Sequence, residues 1–314
     1  MELIRGQHNL RPRHHGCVAT IGNFDGVHLG HQAILRQLAE QGHALGLPLT
    51  VITFEPQPQE FFAPDAPPAR LMRLREKLPA LRRYGVERVL CLEFDQRLAA
   101  VPARTFIDQV LVSKLGVRYL IVGDDFRFGH GREGDFELLC QVGRECGFQV
   151  ANTHSYIYQG QRVSSTRIRE ALAQGELELA ENLLGHPYSI CGRVAHGDKR
   201  GRTLGFPTAN IHLHRRSTPL AGVYAVRMRG IEAEAVAGVA NLGRRPTVDG
   251  LRVQLEVHLF DFQQDIYGRH VQVEFLAFLR AEQRFDSLDA LQRQIQADSA
   301  RTRAFFADPA RRPG

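Results

Sequence analysis

The sequence predicts two domains of different fold class, a doubly wound α/β domain followed by a small antiparallel β-barrel with a terminal helix. In the first half of the chain, short apolar segments alternate with segments whose apolar residues recur at helical spacing. This alternation is typical of parallel strands covered by helices on both faces. After about residue 187, apolar and polar residues alternate singly, which indicates half-buried antiparallel strands. A chain of 314 residues is long enough for two such domains.

The first domain is predicted from its apolar segments. The expected strands are Cys17–Ile21, Leu49–Phe54, Val86–Leu92, Tyr119–Val122 and Phe148–Ala151. The expected helices between them are Gln32–Leu45, Arg73–Tyr84, Thr105–Leu115 and Phe136–Cys146. Ligands of a doubly wound sheet bind at the carboxyl ends of its strands, so the residues that follow each strand are candidates for a site.

The second domain is predicted from its alternating segments. The expected strands are Tyr188–Val194, Val223–Arg229, Ala233–Val239, Leu251–Leu259 and Val271–Leu279. A final helix over Ser287–Phe306 is expected to begin with Ser287 as N-cap and to pack Leu288, Leu291 and Ile295 as one stripe against the barrel. Gly185 can end a helix and Pro187 cannot continue one, so the domains are predicted as 1–186 and 187–314.

Composition narrows the class of protein. A formal net charge of +6 favours a polyanionic ligand, and ATP satisfies this as well as nucleic acid does. No long Lys/Arg run is present, so no nucleic-acid partner is expected. The five cysteines are scattered without zinc-site spacing and indicate reduced thiols. No apolar run has the length of a membrane span or the pattern of a signal peptide, so we expect a cytoplasmic protein without a membrane partner.

The segment of residues 22–31, GNFDGVHLGH, lies between the first predicted strand and the first predicted helix. The start of a helix presents unpaired N–H groups and a positive dipole end, which suit phosphate oxygens. Gly26 and Gly30 let the backbone approach a ligand closely, and His28 and His31 can donate hydrogen bonds to a leaving pyrophosphate. Two histidines that merely decorate an ordinary turn are the alternative. The segment is neither a Walker loop nor a dinucleotide fingerprint.

This decapeptide resembles the His-x-Gly-His signature of the adenylyl- and nucleotidyltransferase superfamily, in the form found in its FAD synthetase branch. The resemblance implies a phosphate-stabilising catalytic role for His28 and His31. It also implies an ATP site formed by Gly22, Asn23, Phe24, Asp25, Gly26, His28, Gly30 and His31. The segment SSTRIR at 164–169 is similar to a second element of that branch, and there the matching residues, here Ser164, Ser165, Thr166 and Arg169, contact the ATP phosphates. Helix capping alone also accounts for the hydroxyl residues.

Two further segments resemble flavin-binding loops of the same branch. One is VGDDFRFGH at 122–130, and the other is FEPQPQEF at 54–61. The resemblance implies flavin contacts by Asp125, Phe126, Phe128, Pro56 and Pro58. A surface loop with two buried phenylalanines, and a mobile proline-rich lid, are the alternatives.

The second half contains a glycine-dense segment that ends in GFPTAN at 205–210. Thr208 and Asn210 supply neutral oxygen ligands that can support Mg²⁺ already bound to ATP phosphates. The run resembles the riboflavin kinase family, and 239–247 resembles a second stretch of that family. The resemblance implies an ATP and Mg²⁺ site formed by Gly197, Gly201, Gly205, Pro207, Thr208 and Asn210, with Thr208 and Asn210 as metal ligands. A long flexible loop is the alternative.

Glu256 is the candidate general base of the second half. Its surroundings, LEVHLFDF at 255–262, resemble the kinase segment whose glutamate accepts the proton of the ribityl hydroxyl. By strand alternation Glu256 points away from Leu255 and Val257, so a solvent-facing carboxylate fits the pattern as well.

Taken in order, these motifs make the chain similar to the prokaryotic bifunctional riboflavin kinases and FAD synthetases. The resemblance implies riboflavin, FMN and ATP as substrates, FAD and pyrophosphate as products, and Mg²⁺ with ATP. One alternative is a nucleotidyltransferase with another acceptor and a degenerate barrel. Another is an RNA-binding barrel, although the chain has no Trp and no basic strip with interleaved aromatic residues. The sequence predicts no oligomeric state.

Overall fold

The computed structural model describes residues 1–153, 155–196, 205–247 and 250–308, with the backbone alone for 244–247 and 250–252. The chain forms two compact units. The first contains Met1–Pro68 and Met72–Ser165, and the second contains Ala69–Leu71 and the chain from Thr166 onward. The functional boundary at 186/187 stays a prediction.

The first unit contains a six-stranded parallel sheet, and every strand predicted for this half is present. The strands are β1 (Glu2–Arg5), β2 (Cys17–Ile21), β3 (Leu49–Glu55), β4 (Arg88–Glu93), β5 (Val117–Gly123) and β6 (Gln149–Thr153). Their spatial order is β1-β4-β3-β2-β5-β6. The edge strand β1 was not predicted. A short hairpin of β7 (Ile157–Tyr158) and β8 (Gln161–Arg162) follows the sheet.

Helices cover both faces of this sheet. They are α1 (Leu29–Leu45), α2 (Pro58–Phe62), α3 (Leu74–Arg83), α4 (Gln96–Ala99), α5 (Ala103–Phe106), which continues as a π-helix over Ile107–Lys114, and α6 (Phe136–Cys146). Successive strand residues enter opposite layers, because Val51 packs with the α1 and α3 side chains and Ile52 with those of the π-helix and α6. Burial on both faces explains why these strands are apolar throughout.

Two helices precede the barrel, α7 (Ser165–Ala173), which lies in the second unit from Thr166 onward, and α8 (Leu177–Leu184). Helix α8 ends at Gly185, which is in the left-handed conformation with φ 79°. A closed antiparallel barrel follows. Its strands are β9 (Ser189–Ala195), β10 (Ala209–His212), β11 (Gly222–Arg229), β12 (Val236–Thr247), β13 (Gly250–Leu259) and β14 (His270–Arg280). They close in the order β10-β13-β12-β11-β14-β9, so the barrel prediction is confirmed. The strand β10 was not predicted, and the strand expected over Ala233–Val239 instead runs over Val236–Thr247.

The terminal helix α9 (Leu288–Ala307) follows the barrel and starts as predicted. The Ala290 N–H donates to the Ser287 Oγ at 3.2 Å, which makes Ser287 the N-cap. The predicted apolar stripe is wrong at its first member, because Leu288 is 69% exposed. The helix instead buries Asp298, whose carboxylate accepts hydrogen bonds from Arg280 of β14, 2.8 Å from its Nη2. The same helix packs Phe305 and Phe306 against the core of the barrel.

A three-residue segment, Ala69–Leu71, belongs to the second unit although its neighbours in the chain belong to the first. Arg169 Nε donates to the Ala69 carbonyl at 2.7 Å, and Arg215 Nη1 donates to the Arg70 carbonyl at 2.8 Å. The Tyr188 hydroxyl donates to the Leu71 carbonyl at 3.3 Å. Side chains from three parts of the second unit therefore bind the backbone of this segment.

Candidate active sites

The turn between β2 and α1 carries the first candidate site. Phe24, Gly26 and Val27 have φ values of 48°, 87° and 42°, in the left-handed region that residues other than glycine rarely adopt. Such a backbone persists only where surrounding contacts fix it. In this turn two residues other than glycine, Phe24 and Val27, adopt the left-handed conformation.

Hydrogen bonds from neighbouring segments hold the turn between β2 and α1 in place. The Asp25 carboxylate accepts a hydrogen bond from the Met72 N–H at 2.8 Å, and the Asp25 carbonyl accepts one from the Ser165 hydroxyl at 2.9 Å. Lys77 of α3 is 1% exposed, and its Nζ donates to the Asn23 carbonyl at 2.5 Å. No motif in the sequence had singled out Lys77, because its contact arises from how α3 packs.

The two histidines lie together at the N-terminus of α1. The His31 N–H donates to His28 Nδ1 at 3.4 Å, so His28 caps the helix. The two rings stack with centroids 3.7 Å apart and an interplanar angle of 18°. A Cβ at Gly30 would lie 3.3 Å from the His28 ring, so glycine leaves room for this stack. Both imidazoles thus stand at the positive end of the helix dipole.

Burial lowers the pKa of His31 well below its ordinary value, and electrostatic interactions with His28, Lys77 and Arg162 lower it further. Its Nδ1 is buried and makes no hydrogen bond to any residue that the structure describes. His31 is therefore neutral at pH 7, where it can donate a hydrogen bond but does not carry a positive charge.

We expect the stability of the chain to fall, relative to that of His31→Gln, as the pH decreases through 6.5. The unfolded histidine binds a proton near pH 6.5 and the folded one does not, so below that pH the unfolded state is favoured by proton binding. Urea unfolding of both proteins between pH 5.5 and pH 8 measures the effect. Parallel curves for the two proteins would contradict a depressed pKa at His31.

Ser165 of the segment at 164–169 contacts the turn between β2 and α1, because its hydroxyl donates a hydrogen bond to the Asp25 carbonyl. Arg169 lies in the second unit, where its Nε donates a hydrogen bond to the Ala69 carbonyl. The phosphate contacts expected of Ser164, Ser165, Thr166 and Arg169 stay predictions.

The segment after β5 carries two acidic residues and two aromatic rings. Asp125 accepts a hydrogen bond from Arg162 of β8 at 2.8 Å, and this contact lowers the pKa of its carboxyl group. Phe126 and Phe128 stack with centroids 5.4 Å apart and are half-buried against the core. These contacts are consistent both with a surface loop and with a flavin-binding loop. Flavin binding by Asp125, Phe126 and Phe128 stays a prediction.

The proline segment is partly helical. The peptide bond between Glu55 and Pro56 is cis, and Pro58 begins α2. The Phe61 and Phe62 rings of α2 contact the Phe94 ring at centroid distances of 5.5 Å and 5.7 Å. The segment is therefore attached to the sheet through aromatic contacts, and the flavin contacts of Pro56 and Pro58 remain predicted.

Three polar residues face one another across three adjacent strands of the barrel. Asn210 of β10 is paired in register with Glu256 of β13, and Glu256 is paired with Asn241 of β12. Partners in an antiparallel register project from the same face. This face is opposite to that of Leu255 and Val257, which are fully buried. The expected alternation at Glu256 is confirmed, and the register adds two polar neighbours.

The amide of Gln254 lies between two of these residues. Its Nε2 donates to Asn210 Oδ1 at 2.7 Å and to Glu256 Oε1 at 2.9 Å. At the other side, Asn241 Nδ2 donates to Glu282 Oε1 at 3.3 Å. Sequence reasoning assigned no role to Gln254, Asn241 or Glu282. The strand register explains the pairing of Asn241 with Glu256 and the approach of Gln254 to Asn210.

The residues before β10 form the rest of the second candidate site. The Pro207 carbonyl lies 2.9 Å from His258 Nδ1, and the Phe206 ring contacts the His258 ring edge-on at 5.3 Å. Thr208 is half-buried, and Gly205 has a φ of 83°. Two of the predicted ligand residues, Gly197 and Gly201, lie outside the described residues.

The oxygen atoms of the second candidate site suit a cation that is already bound to a triphosphate. The part of the chain that the structure describes holds no group of three His, Cys, Asp or Glu residues able to bind a metal ion. Thr208 and Asn210 offer neutral oxygens, and Asn210 Oδ1 has a second lone pair besides the one used by Gln254. Such oxygens fit Mg²⁺ that is already bound by phosphates.

Two family models match the chain in order. The FAD synthetase model matches residues 10–167, and the riboflavin kinase model matches residues 184–306. The parallel-sheet unit and the barrel therefore place the chain among two-domain transferases, with an FAD synthetase half followed by a riboflavin kinase half. The match over the barrel argues against a degenerate or RNA-binding second half.

Full-length relatives specify the family. The chain is 56% identical over 307 residues to the bifunctional riboflavin kinase/FMN adenylyltransferase of Escherichia coli strain K12, with 98% of each chain covered. Relatives with the same description from Pseudomonas fluorescens and Haemophilus influenzae are 54% and 52% identical and also match over nearly their whole length. The chain belongs to the bifunctional riboflavin kinase/FMN adenylyltransferase family.

A solved structure has the same fold over almost the whole chain. It is described as a macrolide-efflux protein from Streptococcus pneumoniae and is 33% identical in sequence, with a TM-score of 0.84. The match covers 96% of this chain and 99% of that one. Among the described residues, none of the helices has the length and apolar character needed to cross a membrane.

Proposed function

We propose that the barrel phosphorylates riboflavin to FMN with ATP, and that the first unit transfers the adenylyl group of a second ATP to FMN, giving FAD and pyrophosphate. The observation that carries the barrel's part of the proposal is the cross-strand pairing of Asn210 with Glu256. This pairing sets a candidate cation ligand beside a candidate base, which are the two groups that phosphoryl transfer to a hydroxyl requires.

In the barrel, Glu256 accepts the proton of the terminal ribityl hydroxyl. The hydroxyl oxygen then attacks the γ-phosphorus of ATP, the bond to the β-phosphate oxygen breaks, and ADP leaves. Thr208 and Asn210 would hold Mg²⁺ together with the ATP phosphates. When bound, that cation neutralises charge on the phosphate oxygens.

In the first unit, an FMN phosphate oxygen attacks the α-phosphorus of ATP, and pyrophosphate leaves. The nucleophile is already an anion, so the reaction needs alignment and charge stabilisation rather than a protein nucleophile. His28 and His31 donate hydrogen bonds to the developing charge, supported by the N-terminus of α1. The two imidazole rings stack with centroids 3.7 Å apart, so both hydrogen-bond donors lie beside each other at the N-terminus of α1.

The remaining parts of the proposal concern setting and partners. We propose a cytoplasmic enzyme whose domains are 1–186 and 187–314 and whose ligands are small molecules, with no nucleic-acid or membrane partner. The net charge of +6 suits the polyphosphate substrates.

The two activities are tested by incubating the chain with riboflavin, ATP and Mg²⁺ and separating the flavins by chromatography over time. We expect FMN to accumulate first and FAD to follow. A second reaction supplied with FMN and ATP isolates the adenylyl transfer. Absence of FAD from both reactions would contradict the function of the first unit, and failure to form any FMN or FAD from riboflavin in the first reaction would contradict that of the barrel.

A further inference from the structure

Gln254 lies on β13 two residues before Glu256, so both side chains project from the same face of the strand. Its side chain is half-buried. A single nitrogen, Nε2, donates to Asn210 Oδ1 at 2.7 Å and to Glu256 Oε1 at 2.9 Å. Both distances are in the normal range for good hydrogen bonds.

An amide nitrogen has two N–H groups, and here each one has an acceptor. One acceptor belongs to the neighbouring strand β10 and the other to the same strand as Gln254. The bond to the carboxylate is charge-assisted and therefore stronger than a neutral one. The bond to Asn210 directs Oδ1 toward Gln254 and fixes which end of the Asn210 amide carries the oxygen.

We infer that Gln254 is a positioning residue for phosphoryl transfer. It holds the carboxylate of Glu256 and the amide oxygen of Asn210 in one arrangement, so that the proton acceptor and the candidate cation ligand keep a fixed separation. Gln254 acts through these two residues and does not itself meet the substrate. The inference rests on the roles proposed above for Glu256 and Asn210.

The contacts of Gln254 are not among those that hold the barrel together, so a variant of Gln254 tests positioning rather than folding. The barrel is held together by backbone hydrogen bonds between strands and by the buried side chains of the opposite face, such as Leu255 and Val257. Gln272 of β14 provides a matched control. It is half-buried on a strand of the same barrel, and its amide donates to the Ser189 hydroxyl at 2.9 Å.

The test is steady-state kinetics of Gln254→Met, which keeps the length of the side chain and removes both donors. We expect the kcat for riboflavin phosphorylation to fall about tenfold, the loss typical of a hydrogen bond to a charged group. The KM for riboflavin should change less than twofold, and FMN adenylylation should keep its rate. Gln272→Met should retain the kinase kcat. An unchanged kcat in Gln254→Met, or an equal loss in Gln272→Met, would overturn the inference.

A crystal structure of Gln254→Met gives a readout independent of activity. We expect the Glu256 and Asn210 side chains to leave the arrangement described above, and an unchanged arrangement would overturn the inference. Gln254→Glu is the second variant, because it sets an acceptor against both oxygens, and it should lose more activity than Gln254→Met. A loss that is no larger would count against positioning.

The proposed roles themselves are tested in parallel with Glu256→Gln and Asn210→Ala. If these two variants keep full kinase activity, the proposed function of the residues fails. If they lose activity while Gln254→Met does not, the positioning role of Gln254 fails and the proposed function stands.

Discussion

Glu256→Gln is expected to lose formation of FMN from riboflavin while it continues to convert FMN to FAD. The glutamine keeps the shape of the side chain but cannot accept the hydroxyl proton, and loss of a general base typically costs roughly a hundredfold or more in rate. The measurement is the initial rate of each reaction, started from riboflavin and from FMN separately. Because the two reactions occur in one chain, the second is an internal control for protein quality.

Glu274→Gln is the matched control for this variant. Glu274 is also a strand glutamate of the barrel, on β14, and its carboxylate pairs with Arg229 Nε at 2.6 Å. It should retain both activities. Kinase turnover by Glu256→Gln at the parental rate would remove Glu256 from the mechanism, and an equal loss in Glu274→Gln would indicate a structural effect.

His28→Ala is expected to lower FMN adenylylation by roughly a hundredfold or more, as loss of an oxyanion donor does in other enzymes. Phosphorylation of riboflavin should keep its rate. The change also removes the N-cap of α1, a contribution of about 1 kcal/mol to helix stability. The measurement is the single-turnover rate of FAD formation from FMN and saturating ATP.

Two companion variants separate capping from catalysis. His28→Asn restores a favoured N-cap side chain but cannot place an imidazole N–H at the ligand, so it should recover stability without recovering the rate. His43→Ala alters an exposed histidine in the last turn of the same helix and should leave the rate unchanged. FMN adenylylation by His28→Ala at the parental rate would contradict the assignment.

The strands of the first unit could be predicted from the sequence because both faces of the sheet are buried. The strand Cys17–Ile21 was predicted with the bounds that the structure has, and so was the helix Phe136–Cys146. The edge strand Glu2–Arg5 escaped prediction because only Ile4 is buried, and it is recognised only through its parallel pairing with β4. A short edge strand has no apolar run to reveal it.

The barrel shows where sequence patterns stop being informative. The strand Ala209–His212 follows a glycine-dense segment and was not predicted, yet it closes the barrel between β9 and β13. Motif resemblance identified Glu256 and Asn210, but the contact of Gln254 with Asn210 arises only from the pairing of β10 with β13. Leu288 was expected to pack as an apolar residue, but the terminal helix contacts the barrel through the Arg280–Asp298 pair and through Phe305 and Phe306.

The Ala69–Leu71 segment has a consequence for anyone who wishes to dissect the enzyme. A fragment that starts at 166 or 187 omits the carbonyl groups to which Tyr188 and Arg215 donate, and the Tyr188 side chain is buried. Buried donors deprived of their acceptors destabilise a protein. An expression strategy for a free-standing kinase half therefore needs these three peptide groups to be supplied, for example as a fused or added tripeptide.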